Sequence, residues 1–390
     1  MTLPPRKYLF CTGTRADWGL LLPLARLLRE RGHRVEVAAT NMHLDPALGH
    51  TVDELVADGF APAFTIPASG SPSEIAAAAA AGFPAAFREM APDATVILGD
   101  RCEMLGAATA ALLEGVPIVH IAGGTVSEGA FDDSIRHAIT KMATLHLVET
   151  EDCRRRVVAM GEQPDRVVTV GSIGVWNVIN TPDIPAEELE PDLGMRFSQR
   201  TVLTTLHAAT LDPGSPGSRM QAMLEAFGRA MERDAHAGDS QLRFIITYPN
   251  NDVDPAPQIE LIREFASRWP GRVAVVPSLG RRRYAAVLRR ACAVVGNSSG
   301  GIVEVPSAGI PTLDIGSRQA GRQRAASVFS CGPEADDILR GLDTVLSDEA
   351  LTIAARRENP YARPDTPQIM ADAIEAFPFT PWPVKKFHIS

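Results

Sequence analysis

Four stretches of this chain place ionisable or small polar residues directly after a short apolar run, where a strand would hand over to a helix. The longest runs from His120 to His137. Within eighteen residues it holds three carboxylates (Glu128, Asp132, Asp133) and two imidazoles (His120, His137), in a segment rich in glycine. Loops seldom carry that many ionisable groups for packing alone, so a functional role for at least one of them is expected. Asp132 or Asp133 could equally cap the helix that follows, with Arg136 and His137 on its first turn. A second stretch, Gly99-Asp100-Arg101-Cys102-Glu103, puts Asp100 at the end of an apolar run. That address suits a catalytic carboxylate, and it also suits a helix cap. A third, Gly13-Thr14-Arg15-Ala16-Asp17, is a Gly turn opening a helix, where backbone amides can face an anion and Arg15 can pair with phosphate. An ordinary turn with a surface arginine is the alternative. It is not a GxGxxG sequence, so no dinucleotide fingerprint is present here.

The fourth stretch is Gly296-Asn297-Ser298-Ser299-Gly300-Gly301-Ile302-Val303-Glu304. Amides and the hydroxyls of Ser298 and Ser299 converge with Gly300 at a helix start, a setting for an anion. Glu304, about a turn further on, can accept hydrogen bonds from a ribose diol. Arg318, Arg322 and Arg324 follow, and that basic cluster fits a diphosphate. A tight turn with a solvated basic loop is the competing reading. His207 and Asn250 each follow an apolar run as well.

These residues need a scaffold, and the chain is long enough for one. At about 150 residues per domain, 390 residues suggest two or three domains. A 45% hydrophobic and 22% charged composition excludes a largely disordered protein. The net charge of −9 argues against a general binder of nucleic acid or anionic membranes. The five cysteines are scattered, with no CxxC pair or Cys/His cluster, so neither a disulfide framework nor a zinc site is suggested. The only apolar run near the N-terminus is too short for a signal peptide, and no run approaches a membrane span; a cytoplasmic protein is expected.

Apolar runs alternate with amphipathic stretches along both halves. In the first half strands are expected at 7–12, 35–39, 95–98, 118–121, 145–148 and 167–170. Helices are expected at 17–31, 73–90 (interrupted at Pro84), 103–114, 134–142 and 151–160. Periodicity lapses over 180–199, where Pro182, Pro185 and Pro191 stand in an acidic run. The alternation then resumes with strands at 201–205, 244–247, 273–276, 293–295 and 312–315. This predicts an α/β fold of two Rossmann-like, doubly wound domains facing across a cleft: 1–180, a linker at 181–200, and 201–365. A C-terminal helix and tail at 366–390 are expected to pack back on the first domain. Ligands of such sheets sit beyond the carboxyl ends of the strands.

Together the segments 13–24, 41–49, 99–105, 120–142, 205–212, 246–252 and 296–328 resemble the hydrolysing UDP-N-acetylglucosamine 2-epimerases, in the family's order and over most of the chain. SIRHAITKM (134–142) and the GNSSGGI and GSRQAGR segments are the most specific. The resemblance implies the glycosyltransferase-B type of fold and a UDP-hexosamine substrate. It implies nucleotide contacts from Arg15, His207, Asn250, Ser298, Ser299, Glu304 and Arg318, a sugar-side His43, and acid–base work by Asp100 and Asp132. Arg101 and Gly300, within the matching segments, join the expected substrate-binding set. The implied reaction eliminates UDP to a 2-acetamidoglucal and hydrates it, giving the free 2-epimer plus UDP, with no metal or nicotinamide cofactor. A homodimer or homotetramer is expected. One departure stands out. Sialic-acid-type members carry a glutamate in HIEGGE, and this chain reads HIAGGT, with Ala122 and Thr125. Glu128 or His120 is then the candidate replacement. UDP-N-acetylglucosamine and UDP-N,N′-diacetylbacillosamine are both open as substrates. The alternatives are a non-hydrolysing epimerase, a glycosyltransferase of the same fold, and a catalytically altered nucleotide-sugar-binding protein.

Overall fold

The computed structural model describes residues 4–45, 50–127, 131–208, 216–234, 238–249, 255–380 and 383–389. In chain order, the first elements are β1 (Lys7–Thr12), α1 (Arg15–Glu30), β2 (Arg34–Thr40), α2 (Val52–Ala57), β3 (Phe64–Ile66), α3 (Pro72–Met90), β4 (Ala94–Leu98), α4 (Cys102–Leu113), β5 (Ile118–Ile121), α5 (Asp132–Met142), β6 (Leu145–Val148), α6 (Glu151–Ala159) and β7 (Val167–Thr169). There follow α7 (Ile173–Asn180), α8 (Ala186–Leu193), β8 (Thr201–Thr205), α9 (Pro216–Arg233), β9 (Arg243–Thr247), α10 (Ala256–Ser267), β10 (Val273–Val276), α11 (Gly280–Leu288), β11 (Ala293–Gly296), α12 (Ser299–Val303) and α13 (Val305–Ala308). The last are β12 (Thr312–Ile315), β13 (Val328–Cys331), α14 (Ala335–Val345), α15 (Asp348–Ala354) and α16 (Thr366–Ala376).

The strands form two sheets, ordered β3-β2-β1-β4-β5-β6-β7 and β10-β9-β8-β11-β12-β13. Every pairing is parallel. The chain is an α/β protein of two doubly wound sheets. Its two compact units are 1–125 with 132–173 and 363–390, and 126–131 with 174–362.

Burial on both faces follows from the strand sequences. In β1, Tyr8 and Phe10 enter the core shared with α1 and α16, whereas Leu9 and Cys11 enter the core shared with α3, α4 and α5. In the second unit, Val202, Phe244 and Val295 meet α9, α10 and α14, and Leu203, Ile245 and Val294 meet the opposite face. Among the described residues, no helix is long and apolar enough to cross a membrane.

Two segments differ from expectation for local reasons. Pro84 does not interrupt α3, which runs unbroken from Pro72 to Met90. A capping box between Ser71 and Glu74 fixes its start, Phe83 and Phe87 stack at 5.8 Å across the proline, and α4 packs closely alongside. A Cβ on Gly106 of α4 would lie 2.4 Å from the Ala76 carbonyl, so the small residue permits this approach. Packing of this extent outweighs the roughly 3 kcal/mol that an interior proline costs. Residues 181–200 carry the helix α8. Leu189 is buried, Gly194 closes the helix in the left-handed region, and Arg283 pairs with Asp192.

Candidate active site

In each sheet the order in which strands are added reverses at one point, between β1 and β4 and between β8 and β11. Crevices open there beyond the carboxyl ends of the strands. The polar segments read from the sequence lie at these two places.

In the first unit, the turn after β4 presents Asp100 and the turn after β1 presents Gly13 to Asp17. Arg136, on the second turn of α5 and only 3% exposed, donates to Asp100, to Asp133 Oδ1 at 2.8 Å and to the Thr125 carbonyl at 2.7 Å. One guanidinium thus ties the β4 turn, α5 and the loop after β5 together. Its fork suits two carboxylates at once. Asp132 opens α5 beside Asp133. Arg101 points inward to Glu103, with Nε 2.6 Å from Oε1. Glu103 is fully buried; burial alone would raise its pKa, but the Arg101 guanidinium more than offsets this and holds the carboxylate below its ordinary range. Glu103 also fills the space beside Gly13, where a Cβ would lie 2.1 Å from Oε1, so only glycine fits.

His43 and His120 are neutral and engaged. His43, in the short 3-10 turn after β2, sits between the hydroxyls of Thr12 at 3.0 Å and Thr51 at 2.9 Å. Burial lowers its pKa to about 4. His120 lies wholly inside β5. Its Nε2 donates to the Gly99 carbonyl at 2.8 Å and Nδ1 meets the Thr140 hydroxyl at 3.1 Å. Burial lowers its pKa to about 3. Both ring nitrogens are committed: Nε2 holds the turn that carries Asp100, and Nδ1 ties it to Thr140 of α5. Ala122 adopts φ of 65°, a left-handed conformation costly for any residue with a Cβ. Arg15 stands half exposed at the start of α1, 3.4 Å from Glu54. Glu128 lies outside the described residues, as does Asn250.

In the second unit the ends of β8 and β11 meet closely. A Cβ on Gly296 would fall 1.9 Å from the Thr205 carbonyl oxygen. That approach lets the next residue, Asn297, stitch the two turns: its Oδ1 accepts from the His207 backbone N–H at 2.7 Å and its Nδ2 donates to the His207 carbonyl at 2.9 Å. The Asn297 carbonyl accepts from Gln319 Nε2 at 2.9 Å and from Arg318 at 3.2 Å. His207, Ser298 and Arg318 are therefore brought to one place. Burial, with Arg318 adding to it, lowers the His207 pKa to about 3, so the ring is neutral. Ser298 precedes α12 without using its side chain as a cap, and Ser299 and Gly300 form the first turn. Arg324 reaches the buried Asp314 at 2.8 Å.

Glu304 is held from three sides. Tyr284, buried on α11, donates its hydroxyl to it. A Cβ on Gly174 would lie 2.4 Å from Oε1, and one on Gly300 3.1 Å from Oε2. Burial and the Glu304 carboxylate together push the Tyr284 pKa well above its ordinary value, so the phenol stays a donor.

Residues 26–375 match the family model described as UDP-N-acetylglucosamine 2-epimerase. The chain belongs to this family. The chain is 31% identical to the polysialic acid biosynthesis protein P7 of Escherichia coli, over 91% of this chain and 90% of that protein. It is also 31% identical to the UDP-N,N′-diacetylbacillosamine 2-epimerase (hydrolyzing) of Legionella pneumophila, over 88% and 89%. Its fold is that of the UDP-GlcNAc 2-epimerase of Neisseria meningitidis solved bound to UDP-GlcNAc, with a TM-score of 0.75, 17% identity and coverage of 94% and 99%.

Several residues that build the site carry weak sequence signals. Asn297 and Arg136 stand inside motifs that were read for other residues. Tyr284 lies twenty positions before Glu304 on a different helix, and no spacing rule links them. Among the described residues, no group of three or more His, Cys, Asp or Glu could hold a metal ion.

Proposed function

We propose that this 2-epimerase is of the hydrolysing type, converting a UDP-hexosamine with a 2-acetamido group to the free 2-epimer and UDP. The observation that carries the reading is the cluster of Asp100, Arg136 and Asp133 at the carboxyl end of β4, on a chain 31% identical to a hydrolysing relative. A C2 proton is not acidic, so a base must remove it as the C1–O bond to UDP breaks. Asp100 is assigned that proton. Arg136 keeps the carboxylate in place, and a positioned base of this kind contributes about 10²–10⁴-fold. Asp132, next to Asp133 on α5, is assigned to the sugar as a second acid–base group. His120 is assigned a positioning role through Gly99, and His43 a sugar-side one. Arg101 and Arg15 complete the substrate-binding set of this unit.

In the second unit Ser298, Ser299, Gly300 and Arg318 are assigned to the diphosphate and Glu304 to the ribose. Charged hydrogen bonds to the departing diphosphate stabilise it by roughly 1.5–3 kcal/mol each. Neutral His207 is assigned to the nucleotide as an uncharged partner. Glu128 and Asn250 stay in the proposed set on sequence grounds. Water adding at C1 and a proton returning to C2 from the opposite face complete the reaction.

Turnover of UDP-N-acetylglucosamine and UDP-N,N′-diacetylbacillosamine in D₂O, followed by NMR, tests the reading. The expected products are UDP and a free 2-epimer carrying deuterium at C2. A UDP-linked epimer at equilibrium would establish the non-hydrolysing reaction instead. Product without C2 deuterium would reject epimerisation through a glucal.

A further inference from the structure

The carboxyl group of Asp17 has no part in the roles above; within the fold it meets the Thr14 hydroxyl, and one of its oxygens is left over. It stands in the first turn of α1, but Thr14 is the residue that caps this helix, its hydroxyl oxygen accepting from the Asp17 backbone N–H at 3.2 Å. Asp17 itself is half-buried. Its Oδ2 is closed to solvent and has no hydrogen-bond partner. A carboxylate oxygen in that state weakens a fold unless something else requires it, and such groups gather at functional sites.

Its charged surroundings come from the turn and first residues after β4. They are Arg101, Glu103 and Asp100. Arg101 is committed to Glu103 at 2.6 Å, so it offsets the cluster's negative charge without binding Asp17. On α1 itself, Arg15 pairs with Glu54 of α2. The turn after β1 that carries Asp17 and the turn after β4 that carries Asp100 are neighbours, because β1 pairs with β4. The loop after β5 offers no carboxylate at Ala122 or Thr125.

We propose that Asp17 is a further proton-transfer carboxylate of this site, beside Asp132, serving one face of C2 while Asp100 serves the other. The inference rests on the 2-epimerase reading above. Asp100 takes the C2 proton as the C1–O electrons leave with UDP. Asp17, in its acid form, delivers a proton to C2 of the glucal. The water that then bonds to C1 loses a proton, which restores the Asp17 acid. The proton held by Asp100 is lost to solvent with UDP. Burial first, then the charges of Glu103 and Asp100, push the Asp17 pKa up to about 6 against the pull of Arg101 and the Thr14 hydroxyl, close to the pH at which the group must both give and take a proton.

The test compares Asp17→Asn and Asp17→Glu with the unaltered enzyme, on the nucleotide sugar that the unaltered enzyme turns over. The expected result for D17N is a kcat at least 100-fold lower, with UDP affinity and melting temperature unchanged. The limb of the pH–rate profile near pH 6 should disappear. D17E should recover part of the rate and keep the limb at a shifted position. A D17N kcat within threefold of the unaltered enzyme, or an unchanged pH profile, would overturn the proposal. So would a loss of UDP binding or folded protein, in both variants, equal to the loss of rate, because Asp17 would then be a structural residue. Failure of the unaltered enzyme to exchange deuterium at C2 is a separate outcome and rejects the epimerase reading itself.

Discussion

Arg136→Lys isolates the guanidinium that organises the first unit. The side chain is 3% exposed and donates to Asp100, Asp133 and the Thr125 carbonyl among others. A lysine ammonium keeps the charge but cannot span all three, because it lacks the planar fork. Two of the three bonds are lost, at roughly 1.5–3 kcal/mol each when charged. Asp100 and Asp133 are 25% and 29% exposed, so water recovers part of that. The net cost to stability is about 2–3 kcal/mol, or about 5–10 °C in melting temperature for a unit of this size. A displaced Asp100 lowers kcat by about 10²-fold, as an error of about 1 Å at a catalytic group does. Urea unfolding followed by circular dichroism gives the first figure and a UDP-release assay gives the second. UDP affinity, measured by calorimetry, should be unchanged, because the assigned diphosphate and ribose contacts stand on the other sheet. R136K with stability within 0.5 kcal/mol and kcat within threefold of the unaltered enzyme, margins well inside the roughly 2–3 kcal/mol and 10²-fold expected, would refute the assignment of Arg136 as the organiser of Asp100.

Two further perturbations address the other pieces. Tyr284→Phe removes the buried donor to Glu304, and a lost hydrogen bond of about 0.5–1.5 kcal/mol predicts UDP binding weaker by about 2–10-fold, with the largest loss for ribose-containing ligands over pyrophosphate in calorimetry. His120→Gln tests linkage. The native ring stays neutral down to about pH 3, whereas an unfolded histidine protonates below about 6.5. Between those values the unfolded chain binds one more proton, so stability falls as pH drops, by up to about 1.4 kcal/mol per pH unit for this residue. H120Q should flatten that slope in denaturation curves taken between pH 4.5 and 7; an unaltered slope would contradict a buried neutral His120.

The parts of the fold that could be read from the sequence are those that one short-range pattern determines. β1, β4 and β11 are largely apolar runs that end at a Gly or polar turn, and their carboxyl-end residues are legible for that reason. β3 and β13 are strands of three and four residues at or near sheet edges, carrying Thr and Ser among their apolar residues, and they leave no period to detect. Prolines hid α8 and suggested a break in α3, because the propensity cost is visible in sequence and the compensating burial of Leu189 or packing against Gly106 is not. The site divides in the same way. Asp100 and Ser298 announce themselves by position. The partners that aim or isolate such groups, Arg136 on Asp100, Tyr284 on Glu304 and the unpaired oxygen of Asp17, depend on contacts between elements distant in sequence.

The composition of the first unit bears on how the chain emerges from the ribosome. Its sheet is complete by residue 169, yet the core above β1 and α1 includes Met370, Ala371, Ile374 and Phe379. Arg31 waits for Asp372 and Glu375, and Arg6 for the carbonyls of Ile374 and Phe377. The intervening unit is nearly continuous in sequence, at 174–362, and has its own apolar cores. During synthesis the later unit can therefore close first. The earlier one holds an open apolar seam along α1 until α16 is translated, the interval in which a chaperone or a misdirected neighbouring chain would find it.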